Sequence, residues 1–277
     1  MALLLVAALG LPVQAHAAPK RIVALTPFAA NTLVKLGVKP VAIGQTLGGQ
    51  ERFSPKLKRV TTLPLSHPNG PNLEQLASLD PDLVLSSRTW AKGNESIGDL
   101  GIRVVVHEPF RLNGAFAQTK VIGAIVNRRQ RAKALVRSMK RSVAQARKGI
   151  ERRPTVMLIL GVGRTPFTFL PNSWGGDILT KSGGRLLTGG VRSSSGFERI
   201  SDEVVVAEDP DVIVAVPHAN EDDIPSLTEY LRTNPAWQTT SAVRNDRIHI
   251  SVDNSLLQPG TDVARTIRKV RRVYLKN

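Results

Sequence analysis

Two stretches of the chain, PNLEQLASLDPDLVLSS (71–87) and ERISDEVVVAEDPDVIVAVPH (198–218), follow one plan and limit the fold more than any other feature. Each passes from a glutamate through a short helical segment to Asp-Pro-Asp, then enters an apolar run of the kind that forms a buried β-strand. Glu74 precedes Glu203 by 129 positions, and Asp82 precedes Asp211 by the same 129. A helix–turn–strand unit recurring at that distance calls for two lobes of similar construction.

The segments around these units alternate between strand and helix. In the first half RIVALT (21–26) reads as a buried strand broken at Pro27, AANTLVKLG as a helix stopped by Gly37, and PVAIGQ (40–45) as a second strand. A loop rich in Gly, Ser and Pro (46–71) follows, then a helix over 72–79, the strand DLVLSS (82–87), a helix near 94–100 and the strand RVVVHE (103–108). In the second half TVMLIL (155–160) is a strand, GVGRTPFTFLPNS a long loop, and Ser173 the cap of a helix running to Gly183. DEVVVAE and IPSLTEYLR read as helices, DVIVAVPH and DRIHIS as strands, and DVARTIRKVRRVYLK as a closing helix. Strand, helix and strand at this spacing predict parallel sheets with right-handed crossovers.

Between the halves, Ile122, Ile125, Val126, Ala132, Leu135, Val136, Met139 and Val143 recur at helical steps, with no proline from Phe110 to Arg153. The pattern predicts one amphipathic helix of about 35 residues, reaching about 50 Å at 1.5 Å per residue. The fold class expected is therefore α/β, with two parallel-sheet lobes joined by one long α-helix and a ligand cleft between them. The expected boundaries are 18–112, 113–153 and 154–277.

The first 17 residues read as a removable export signal, with a short apolar run and the small-x-small site Ala15-His16-Ala17. With no cysteine in the chain, disulfides, thiolate metal sites and lipid attachment through an N-terminal cysteine are excluded. The expectation is a soluble periplasmic protein that is not a lipoprotein. The net charge is +16, and 12 of the Lys and Arg residues but a single acid lie between Asn113 and Arg153. Such a balance points to anionic partners. With 4% aromatic residues and no recognition motif, nucleic acid is not expected, and a basic protein bound to anionic lipid or nucleic acid stays the remote alternative. GVGRTP (161–166) begins like a dinucleotide fingerprint but ends on Pro166, and Gly-x-Ser-x-Gly, His-Glu-x-x-His and Walker sequences are missing. An enzyme is not expected.

RIVALTP, NLEQLASLDPDLVL, LGIRVVV, the long helix, ILTKSGG, ISDEVVVAEDPDVIVAV and WQTTSAVRNDRIHIS, taken in that order, resemble the substrate-binding proteins of ABC importers for iron chelates, haem and cobalamin. The resemblance covers 19–277 and implies a monomeric carrier without an intrinsic cofactor, which hands a bound chelate to a dimeric permease. It also implies that one surface glutamate per lobe docks on that permease. The matching positions are Glu74 and Glu203. The chain departs from the family at Asn31, where many members carry glutamate, and at QPGTD near the end, where many carry Pro-Gly-Pro-Arg.

Ligands of α/β lobes bind at the carboxyl ends of the strands, so the cleft loops are 46–71, 86–93, 108–112, 161–173, 217–223 and 252–260. His218 matches the position of a haem-iron ligand in haem-carrying relatives, and His67 would oppose it from the other lobe; both are metal ligands only if the cargo is haem. Arg111 or Arg164 would meet haem propionates. Arg88, Trp90, Arg111, Arg164 and Trp174 would serve an anionic ferric siderophore. Cobalamin, the alternative cargo, would take aromatic walls from Trp90, Trp174, Phe53 and Phe167. A rigid connecting helix predicts little lobe movement.

Overall fold

The computed structural model describes residues 18–46, 53–151, 153–162, 165–217 and 224–276. Residues 1–17, expected to be an export signal, lie outside them. Six strands form the first sheet: β1 Ile22–Ala24, β2 Ala42–Thr46, β3 Thr61–Ser66, β4 Gly70–Pro71, β5 Leu83–Ser86 and β6 Val104–Val106, in the order β4-β3-β2-β1-β5-β6. All neighbours are parallel except β3 and β4. Helices α1 (Pro27–Lys35), α2 (Leu73–Ser78) and α3 (Ala91–Asp99) connect them. The second sheet holds β7 Thr155–Val162, β8 Thr165–Phe169, β9 Arg185–Leu187, β10 Phe197–Arg199, β11 Val212–Pro217 and β12 Ile248–Ile250. Its order is β10-β8-β7-β11-β12, with β9 also paired to β7.

The repeated units fall where their register demands. Leu83 pairs with Ile22 and Val212 pairs with Val156, so each strand after Asp-Pro-Asp lies parallel to the first strand of its own sheet. Both faces of these central strands are covered, which is why they read as continuous apolar runs. The acid before each strand ties the two strand starts together. Asp82 accepts from the backbone N–H groups of Lys20 (2.6 Å) and Arg21 (3.1 Å). Asp211 accepts from the N–H (2.7 Å) and hydroxyl (2.8 Å) of Thr155. Asp80 and Asp209 also lie 129 apart, and both take left-handed backbone (φ 43° and 40°), which ends α2 and α7 (Asp202–Glu208). Asp is among the few residues that visit this region routinely.

Three expectations are corrected. The single connecting helix is two helices, α4 (Leu112–Ile125) and α5 (Arg129–Ala146). Asn127 turns left-handed (φ 52°), its N–H donates to Ala124 O (3.2 Å), and the Arg128 N–H donates to Gly123 O (2.6 Å). This pair of bonds closes a helix end without proline. The chain then folds back: Lys140 lies 5.5 Å from the Phe116 ring centroid, and a Cβ at Gly123 would stand 2.2 Å from the Ala132 Cβ. The loop read over 46–71 contains β3 and β4. The loop after β7 contains β8, which pairs antiparallel with β7 and β10.

Other signals hold. Gly37 is left-handed (φ 79°) and ends α1, and Ser173 caps α6 (Trp174–Lys181) by accepting from the Gly176 N–H at 3.1 Å. Helices α8 (Ile224–Thr233), α9 (Ser241–Arg244) and α10 (Val263–Lys269), the last extended by a π turn over Val270–Tyr274, complete the chain.

One apolar cluster runs through the whole molecule. It joins Ile22, Phe28, Leu33 and Leu83 of the first lobe to Val136, Met139 and Val143 of α5, then to Val156, Leu158, Val214 and Ile267 of the second. Separate clusters line the outer faces of the two sheets, around Leu63 and Trp90 on one side and Ile159 and Trp237 on the other. The lobes therefore share a dry interior.

Candidate functional site

The carboxyl ends of the parallel strands are brought together by contacts between the lobes. Lys35 on α1 pairs with Asp262, the residue before α10, at 2.8 Å. The Leu112 N–H, at the start of α4, donates to Asp177 Oδ2 in the first turn of α6 at 2.8 Å. Asp177 thus supplies from the second lobe an acceptor for an N-terminal N–H of a helix that leaves the first. Trp174 beside it donates its indole N–H to Ser255 O at 3.0 Å, which pins the loop after β12.

A cavity of about 50 Å3 lies where α1 meets that loop, lined among others by Pro27, Asn31, Asn254, Gln258, Thr261 and Asp262. Its walls mix carboxamide and hydroxyl side chains with two prolines and the carboxylate of Asp262. Asn31 Oδ1 accepts from the Ser54 N–H at 2.7 Å, and Gln258 Oε1 is buried with no donor among the described residues.

Beyond this cavity the mouth is apolar and cationic. Three of the five large apolar side chains exposed among the described residues, Val106, Phe110 and Val252, lie at or just past the ends of β6 and β12. Phe110 is 44% exposed, and the Arg88 guanidinium lies 5.7 Å from its ring centroid. Arg111, also exposed, follows it and stands immediately before α4. Burial pushes the carboxyl of Glu108, two residues before Phe110, above its ordinary pKa, opposed by a hydrogen bond from Ser87.

The residues expected at the site divide into three groups. Arg88 and Arg111 are exposed at the mouth. His67 is exposed on the turn between β3 and β4, with its ring 6.4 Å from that of Trp90. Trp90 and Trp174 are core residues, 6% and 4% exposed, because each indole fills space under a strand end. Little of either ring is left open to solvent. Arg164 and His218 lie outside the described residues. Phe53 and Phe167 are half-buried against the shared core. Sequence reasoning passed over Phe110, whose one signal was an aromatic side chain between Glu108-Pro109 and Arg111, in phase with neither strand nor helix. Among the described residues no group of three or more His, Asp or Glu is placed to hold a metal ion.

Glu74 and Glu203 are both exposed in the first turn of a short helix, α2 and α7. Asn72 caps the first of these, accepting from the Gln75 N–H at 2.9 Å. Hydrogen bonds from the Ser201 hydroxyl and from its own backbone hold the Glu203 carboxyl below its ordinary pKa. Among the described residues no helix is long and apolar enough to cross a membrane.

The family described as periplasmic binding protein matches residues 22–251. A cobalamin-binding protein of Halobacterium salinarum is 28% identical over 264 residues, 92% of this chain and 69% of the relative. The haem complex of a Staphylococcus aureus protein superposes with a TM-score of 0.75 at 22% identity, covering 92% of this chain and 99% of that one. A periplasmic binding protein of Veillonella parvula gives a TM-score of 0.78 at 19% identity, covering 95% and 93%.

Proposed function

Since the chain belongs to the periplasmic binding protein family, we propose that it is an extracytoplasmic carrier that captures an iron-containing chelate, haem or a ferric siderophore, and delivers it to an ABC-transporter permease. The observation that carries this reading is the exposed aromatic and cationic group past the end of β6, where Arg88 lies 5.7 Å from the Phe110 ring centroid and Arg111 follows in the chain, with Val252 exposed past the end of β12. A flat chelate with acidic substituents fits such a surface: its ring face covers the apolar groups and its carboxylates meet the guanidinium groups. Glu74 and Glu203 are the docking acids, one per lobe for a two-fold permease. Electrostatic placement of this kind sets orientation more than affinity.

Cobalamin is the second reading, favoured by the largely uncharged carboxamide and hydroxyl lining around Asn31, Asn254 and Gln258 and supported by the Halobacterium relative.

Titration of the chain from residue 18 onward with haemin, a ferric siderophore and cyanocobalamin tests both readings. The expected result is one saturable site, weakened about tenfold by Phe110→Ala, the loss of a buried aromatic contact worth about 1–1.5 kcal/mol. With haemin, a Soret shift lost in His218→Ala would assign the iron ligand. Binding indifferent to Phe110→Ala and Arg88→Ala would remove the mouth as the cargo site.

A further inference from the structure

The cleft accounts for only two or three of the cations on this chain. From Pro109 to Ile150 there are 11 Lys and Arg and no acid. The fold gathers them on one side. α5 buries Ala132, Val136, Met139, Val143 and Ala146, and so turns Lys133, Arg137 and Arg141, spaced four apart, outward with Lys140 and Lys148. The break at Asn127 folds α4 back along this ridge, which adds exposed Lys120, one turn from the Phe116 ring that Lys140 covers. Among the described residues none of these six cations enters an ion pair.

We infer that this ridge is a docking surface for anionic phospholipid headgroups, which holds the carrier close to the membrane where its permease stands. α5 is 18 residues long, so the ridge extends about 27 Å. It is a convex row of exposed side chains, and a small anion would find no enclosure there. A planar polyanion engages all of it at once. The bases of a single-stranded nucleic acid need exposed aromatic rings to stack on, and none lies on the outward face of α5, whose sequence is RQRAKALVRSMKRSVAQA. The attraction is sequence-independent, salt-sensitive and additive per cation, as for other basic faces at anionic leaflets. Cargo binding is a separate property, because no ridge residue lies in the cleft loops.

Co-sedimentation with vesicles tests the surface. The protein is expected to bind vesicles of phosphatidylglycerol and phosphatidylcholine at 50 mM salt, leave them at 500 mM, and ignore pure phosphatidylcholine. The triple variant Arg137→Gln, Lys140→Gln, Arg141→Gln is expected to lose about a hundredfold in partitioning, about fivefold per cation. It should keep the thermal midpoint and chelate affinity of the parent, which separates failure of the ridge from failure of the carrier reading. Equal binding to neutral vesicles, or an unaffected triple variant, would overturn the proposal. Tighter binding to duplex DNA than to the anionic vesicles, with the same triple-variant loss, would also overturn it and assign the ridge to nucleic acid.

Discussion

The two copies of the helix–turn–strand unit differ in what their register acid holds. In the first lobe Asp82 grips only exposed backbone at Lys20 and Arg21, while the Arg21 guanidinium reaches the carbonyls of Leu79 and Asp80. In the second, Asp211 grips a buried threonine, and the Thr155 hydroxyl accepts in turn from the Asp211 N–H at 2.8 Å. The neighbouring left-handed aspartates diverge as well. Asp209 accepts from the N–H (2.5 Å) and hydroxyl (2.9 Å) of Ser241, whereas among the described residues Asp80 contributes only backbone bonds to its turn. Geometry has been kept across the repeat, while partners have been exchanged. The pattern teaches that a carboxylate at a strand start is a structural requirement of the unit, which any nearby donor can satisfy.

Substitutions would break or sharpen this contrast. The largest effect is expected from Asp211→Ala, which strands two donors of a buried threonine and should cost about 2–3 kcal/mol in urea unfolding. Asp82→Ala should cost about 1 kcal/mol, since water can replace it at the exposed backbone. Equal losses would mean that burial of the partner does not matter here. Asp209→Asn should cost less again, and its deficit depends on pH. The Ser241 N–H and hydroxyl, with Arg244, hold the Asp209 carboxyl below its ordinary value. Its contribution is therefore complete above the unfolded pKa of about 4 and fades as pH falls through the lower folded value, so the mutant and parent curves should converge in acid. A constant gap would show that the amide loses something other than charge. Asp80→Gly should change stability by no more than about 0.5 kcal/mol, because relief of the left-handed backbone offsets a more flexible unfolded chain. Smallest in stability are Glu74→Ala and Glu203→Ala, both exposed first-turn changes. Each should instead impair uptake in a reconstituted transporter to a similar degree. Impairment by one alone would end the symmetric docking picture.

Much of this molecule is legible in its sequence because local signals and burial agree. The runs around β1, β5, β7 and β11 are apolar throughout because both faces are covered, and Gly37 and Ser173 mark helix ends by chemistry specific to those positions. The misread segments hide their geometry. In β3, Leu63 and Leu65 alternate inward, but Pro64 between them suggested a loop. Proline is tolerated there because β4 pairs only with Leu65 and Ser66. Only two residues separate β7 from β8, inside a stretch whose glycines and proline read as a turn. The break at Asn127 carries neither glycine nor proline, so the apolar period passed through it undisturbed. At the site, the strand-end loops were readable from topology alone. Which aromatic faces solvent was not, since burial of Trp90 and exposure of Phe110 depend on packing between distant segments.

The apolar cluster that crosses from Ile22 through Val143 to Val214 has a consequence for delivery. Jaws that share one interior cannot swing without opening it to water, so the laden and empty carrier should have the same outline, with no change in radius of gyration by solution scattering when chelate is added. If the proposed docking at Glu74 and Glu203 holds, their separation would then be the same in both states, and a permease would have to distinguish a full carrier by the chelate surface between the lobes.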